Sequence, residues 1–210
     1  MTADINYQAE KYCFMEAGEP AHLTRQWAEV LQACREQQAV PEERLRLALL
    51  SVDYVTSFEL PFRLLLTRTP QLIDGVRENL PLSQKNVRFN GKRFGCVYSL
   101  QADISGVPDE FHYHLSHRIR RMTSAGSTET SYRQIAKEVK APLKRLERAL
   151  TSGLEVTALD GLFWFGCQRL AVDILRLRKA GMRIATAGKT VSDNITGTTR
   201  SIPVYRCDGG

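Results

Sequence analysis

Along its first half the chain sets apolar stripes at helical spacing against polar ones. From Leu23 onward Trp27, Val30, Leu31 and Cys34 recur on one side, with Arg25, Gln26, Glu29 and Gln32 on the other, so an amphipathic helix is predicted. Pro41-Glu42-Glu43 opens a second helix, with proline in the first turn and acids at the positive end of the dipole. Leu45, Leu47, Leu49, Leu50 and Val52 make that helix apolar enough to be buried. Pro61, Pro70 and Pro81 then cut the chain into short segments. The period changes near residue 86. Phe89, Phe94, Val97 and Tyr98 suit strands, and Asn90-Gly91 is the preferred centre of a type I′ turn, so a β-hairpin is predicted over about 86–101. Its basic residues suit a phosphate backbone or an ordinary solvent-facing position.

Ile104-Ser105-Gly106-Val107-Pro108 reads as a boundary, after which helical spacing returns. Asp109-Glu110 opens a helix to about Met122, 123–128 is a polar loop, and Ser131 caps a short helix ending near Val139. From Pro142 to Thr151 the sides separate cleanly, with Leu143, Leu146, Ala149 and Leu150 opposite Lys144, Arg145 and Arg148. Leu154-Glu155-Val156 is a short extended segment. Thr157 is an N-cap with Asp160 three residues on, and the helix it opens stops at Gly166. The next helix runs from Gln168 to Ala180 and closes on Gly181, its core stripe being Leu170, Ile174 and Leu177, joined by Ala171 and Leu175. Met182–Thr186 forms a strand, 187–199 a polar glycine-bearing loop, and Ile202–Tyr205 a second strand. Helix, strand, helix, turn, helix, hairpin is the order of a winged helix-turn-helix.

The strings Val156-Thr157-Ala158-Leu159-Asp160, Phe165-Gly166-Cys167-Gln168-Arg169-Leu170-Ala171 and Leu175 through Ile184 carry a closer likeness. They resemble a small winged helix-turn-helix family of bacteriophage and prophage genes over about 142–206. Gly161 stands where that pattern has alanine or similar, and Asp173 where it often has arginine. The resemblance implies a DNA-binding module and a mobile-element setting. A recognition helix reads base edges with its N-terminal outward residues, here Gln168, Arg169, Val172 and Asp173. Arg176, Lys179 and Arg183 would neutralise phosphates, and Lys189 and Arg200 would stand at the two ends of the wing. Asp173 also has the spacing to pair with Arg169 or Arg176. Residues 131–150 resemble a generic helix-turn-helix, with Lys140 where glycine is usual at the turn.

Charge sharpens the picture. The formal net charge of +6 is uneven: residues 1–105 hold 12 basic and 13 acidic residues, residues 106–210 hold 17 and 10. A second half at +7 points to a polyanionic partner, nucleic acid before membrane. The expected architecture is a mainly α (α+β) chain: residues 1–105 a helical N-terminal domain with a hairpin, then 106–210 a basic winged helix-turn-helix domain. The first would serve dimerisation or partner contacts.

Composition (43% hydrophobic, mean hydropathy −0.28) allows a packed core, and no apolar run reaches the roughly 20 residues that cross a bilayer. The start lacks a basic and then apolar leader, so no membrane partner and a cytoplasmic location are expected. Five scattered cysteines (Cys13, Cys34, Cys96, Cys167, Cys207) exclude a paired zinc motif and read as reduced, mostly buried thiols. His112, His114 and His117 cluster, but no carboxylate or thiol joins them at ligand spacing, so no metal is expected. Nucleophile-base, paired-carboxylate, phosphate-loop and HExxH signatures are lacking, which argues against an enzyme or a cofactor. The expected function is sequence-specific binding of double-stranded DNA by a homodimeric, phage- or mobile-element-type transcriptional regulator. The alternatives are a factor that docks on or inhibits a host protein, or a replication accessory protein binding an origin.

Overall fold

The computed structural model describes residues 5–9, 13–14, 19–114, 119–123, 126–127 and 129–207. In chain order the elements begin with β1 (Ile5–Ala9), β2 (Cys13–Phe14), α1 (Ala21–Glu36) and α2 (Pro41–Ser51). Then come β3 (Val55–Thr56), α3 (Leu60–Arg63), α4 (Thr69–Arg77), β4 (Ser83–Phe89) and β5 (Lys92–Ser99). Four short strands follow: β6 (Glu110–Phe111), β7 (Tyr113–His114), β8 (Ile119–Thr123) and β9 (Gly126–Ser127). Next are α5 (Glu129–Glu138), α6 (Pro142–Thr151), β10 (Val156–Thr157), α7 (Ala158–Asp160) and a π-helical turn over Gly161–Phe165. The chain ends with α8 (Leu170–Lys179), β11 (Ile184–Asp193) and β12 (Thr198–Cys207).

Two units divide the chain, and they interleave rather than follow one another. One comprises 9–118 with 195–197, the other 1–8, 119–194 and 198–210. A cut into 1–105 and 106–210 is therefore replaced by a longer excursion inserted between β1 and β8.

In the inserted unit, Leu23, Trp27, Val30 and Cys34 form the buried stripe of α1, as their spacing predicts, while Leu31 is exposed. On α2 the buried residues are Arg44, Leu45, Ala48 and Leu49; Leu50 faces solvent. Arg44 survives burial because its Nε donates to the Ala39 carbonyl (2.8 Å) and its Nη1 to that of Leu64 (3.2 Å). The sheet has the order β3-β5-β4-β6. Asn90 (φ 48°) and Gly91 (φ 76°) make the hairpin turn. Val87, Val97 and Phe111 pack with Tyr54, Phe58, Phe89 and Val107 on its covered face. Glu59 is buried beside Arg63 (3.1 Å) and accepts the Thr56 N–H (2.7 Å); burial, the largest influence, raises its carboxyl above the usual range.

The second unit corrects the expected architecture. The protein is α+β, not a helical N-terminal domain followed by a winged helix-turn-helix domain. β11 and β12 lie inside a six-stranded sheet of order β10-β12-β11-β1-β8-β9, instead of ending a separate module. The chain start supplies β1, which runs parallel to β11 with Ile5 opposite Val191 and Tyr7 opposite Asp193. The segment read as a helix from Asp109 to Met122 supplies β6, β7 and β8. Its alternation of Phe111 and Tyr113 around His112 has a period of two, and tertiary pairing outweighed the acidic start signal. Likewise 187–193 is strand, not loop, and only 194–197 turns. Ten cross-strand pairs from Ile184–Cys207 to Asp193–Thr198 hold a segment whose middle is too polar and small to read as a strand. The core of this unit joins Tyr132, Ile135, Leu146, Leu150, Val156, Phe165, Leu170, Ile174, Leu177 and Ile184.

Candidate nucleic-acid interface

α8 carries basic residues on an exposed face, and its placement starts from the turn before it. Thr157 caps α7 as expected: Asp160 N–H donates to Thr157 Oγ1 (3.2 Å), while the Asp160 carboxylate accepts from Thr157 N (2.9 Å) and Oγ1 (2.8 Å). Asp160 is fully buried, and Arg121 of β8, itself 2% exposed, lies 3.4 Å from the same carboxylate oxygen. Arg121 Nη1 also donates to the Glu155 carbonyl (2.9 Å) and to the Tyr132 hydroxyl, and the Tyr132 hydroxyl donates to Glu155 O. The guanidinium stands 5.2 Å from the centre of the Tyr132 ring. One buried ion pair thus ties β8, α5, the entry to β10 and α7 together. Arg121, a basic residue in a polar stretch of sequence, belongs to the interior.

After α7 the π-helical turn brings Phe163 and Phe165 inward and leaves Trp164 half-buried, stacked on Tyr132 at 6.4 Å. Gly166, at φ 75°, reverses the chain. A Cβ on Gly161 would stand 3.1 Å from Leu170 Cδ1, so glycine there lets α8 approach closely. Leu170, Ile174 and Leu177 face the core. Arg178 pins the far end: its Nε and Nη2 donate to Ile184 O (3.0 and 2.6 Å) and Nη2 also to Thr186 Oγ1 (2.8 Å), fixing the start of β11. The sequence reading gave Arg178 no role, although its place one turn before a glycine and a strand is the signal for it.

The predicted contact residues divide. Gln168, Arg169, Arg176, Lys179 and Arg183 are exposed, and Val172 is half-buried. Gln168 and Arg169 precede the helix, whose N-cap is Arg169. Among the described residues, Arg169, Lys179 and Arg183 form no ion pair. Asp173 pairs with Arg176 (3.4 Å) on the flank of the helix, its side chain only 17% exposed. It also acts on Cys167, whose thiol is pushed up to about 12, first by burial and then by that carboxylate. Asp173 is thereby turned away from the outward face. Lys189 binds Glu155, and Arg200 lies 3.6 Å from buried Asp193; both sit along β11 and β12 rather than at the turn. Leu175, expected in the core, is 51% exposed. α5, α6 and the turn between them add exposed Arg133, Lys137, Lys140, Lys144 and Arg148, of which Lys144 pairs with Glu147 (2.7 Å) and Arg148 with Glu138 (3.6 Å).

His117 lies outside the described residues, His112 stands 3.7 Å from Glu110, and among the described residues no three ligand-type side chains converge as a metal site. Nor, among them, is any helix long and apolar enough to cross a membrane. No protein-family model matches the chain, and no curated protein or solved structure matches it either.

Proposed function

We propose that the chain binds double-stranded DNA in a sequence-specific way and acts as a transcriptional regulator. α8 enters the major groove, Gln168 and Arg169 at its start reach base edges, and Arg176, Lys179 and Arg183 meet phosphates. The observation that carries this reading is the exposed charge on α8 and at its two ends: Arg169 at the N-cap, Lys179 in the last turn and Arg183 in the loop that follows form no ion pair among the described residues, and Asp173 lies on the flank. A bidentate arginine–guanine contact is worth about 1–3 kcal/mol of discrimination. One helix covers few base pairs, so the protein binds as a homodimer to a two-fold site. Selection of bound duplexes from a random pool tests this. An enriched, two-fold sequence whose retention is lost in Arg169→Ala/Arg176→Ala supports it; an unenriched pool removes it.

A second reading is favoured by Leu175. With Ala171 one turn before it, this residue gives the same helix face an apolar centre suited to a protein partner. Retention of a stoichiometric protein that is lost in Leu175→Lys, with no duplex selected, would favour docking over DNA.

A further inference from the structure

α2 carries apolar residues on two sides, and one of them meets the core of its unit. Leu45, Ala48 and Leu49 are buried, together with the hydrogen-bonded Arg44. At about 3.6 residues per turn, the arc opposite them is centred on Val40, Glu43, Leu47 and Leu50. Val40, at the N-cap, is 60% exposed and Leu50 52%; Leu47, between them, is half-buried. The four positions stand three, four and three residues apart, the a and d spacing of a helix that packs along another helix. Exposed Glu42 and Arg46 border this side on one flank and exposed Ser51 on the other. Single exposed leucines are ordinary; a stripe at seam spacing along the middle of a solvent-facing arc is not. A helix apolar on both sides is a buried helix, so the stripe calls for a cover.

Glu43, the one charge in the stripe, decides what covers it. Its carboxylate accepts from both Nε (2.9 Å) and Nη2 (2.7 Å) of Arg46, and that contact holds the carboxyl below the usual carboxylate range. The Glu43 and Arg46 side chains are 30% and 51% exposed, so the pair adds little to the fold. It is self-complementary. When two α2 helices run antiparallel about a two-fold axis level with Leu45, Val40 lies opposite Leu50 of the second copy and Glu43 opposite its Leu47. Arg46 then stands within one residue, about 1.5 Å along the axis, of the level of the second copy's Glu43. Each arginine is shared by two carboxylates, and the charge closes on itself.

We infer that the outward side of α2 is a homodimer interface, in which two copies of this chain pack α2 against α2 in antiparallel fashion. The helix has 11 residues and rises about 16 Å, a contact at the small end of specific interfaces, so the dimer dissociates readily. The duplex reading of α8 asks for a homodimer. This surface stands without that reading and is tested in the absence of DNA, so failure of one is distinguishable from failure of the other.

Sedimentation equilibrium of the full chain over a wide range of concentration tests it. The mass rises from 23.7 kDa towards twice that value as concentration increases. Leu50→Ala weakens self-association about tenfold or more, because two leucines leave the interface together. Val40→Lys and Leu50→Lys stay monomeric, with unchanged thermal midpoints at low concentration because both residues face solvent in the single chain. Glu43→Arg/Arg46→Glu keeps the pair within the helix and self-associates. Differently tagged copies show it associating with wild type far more weakly, since each exchanged charge then meets its like. Arg169→Ala/Arg176→Ala dimerises as wild type does. A mass of one chain at every concentration, a dimer that persists in both lysine variants, or free mixing of the exchanged variant with wild type overturns the inference.

Discussion

Arg121 and Asp160 make the sharpest stability test. Both are almost wholly buried, and their carboxylate–guanidinium contact is the point where β8, α5 and the helix preceding α8 meet. Removing one member of a buried pair strands the other charge, at about 3–5 kcal/mol. Arg121→Met leaves the Asp160 carboxylate with the Thr157 amide and hydroxyl, so it falls near the lower bound. Asp160→Asn strands the guanidinium while its amide oxygen still accepts the Thr157 N–H, so the cost is that of the unpaired buried charge. With both changed no buried charge remains, and the double variant costs about 2–3 kcal/mol less than the two singles together. The assay is urea unfolding followed by tryptophan emission in a Trp27→Phe background. Only Trp164, stacked on Tyr132, then reports, so unfolding of the inserted unit does not enter. Costs that simply add, or an Arg121→Met cost below about 1 kcal/mol, would refute the reasoning.

Three further predictions follow from particular residues. Gly95→Ala combines a left-handed backbone with overlap on Ser57 and Phe58, and should destabilise the inserted unit by about 2 kcal/mol or more in thermal unfolding; an unchanged midpoint contradicts it. Glu59 has a folded-state pKa raised above its unfolded value, so its contribution is fully present below the unfolded value and is lost as pH rises through the folded one. Across that window stability should fall with pH at up to about 1.4 kcal/mol per unit, and Glu59→Gln should flatten the slope measured by urea titration. Cys167, buried and pushed up to about 12, should resist iodoacetamide at pH 8 in the folded protein and react in urea; peptide mass spectrometry that finds it alkylated first would contradict this.

Local stereochemistry was legible in the sequence where it depends on neighbours. Pro41 at a helix start, the Asn90-Gly91 turn, the Thr157–Asp160 box and the glycines at 166 and 181 all stand where their backbone demands put them. Long-range pairing was not legible. Ile5 pairs with Val191 across nearly the whole chain, and nothing near either residue announces the other. The same holds for β8, whose Arg121 reads as surface charge until Asp160 and Tyr132 arrive from distant segments to make its burial tolerable. Of the contact residues, the exposed arginines and lysine of α8 could be read from helical spacing. The pairing of Lys189 with Glu155 and the outward turn of Leu175 depend on the sheet and on the packing angle of α8, which periodicity alone does not carry.

The salt dependence of binding to a selected duplex tests the outward face of α8 most directly. Each lost phosphate contact should lower the slope of log affinity against log salt by about 0.9. Lys179→Ala and Arg183→Ala should each do so while base preference persists, whereas Arg169→Ala should relax preference at one position. Identical slopes and preferences in all three variants would contradict a duplex on this helix.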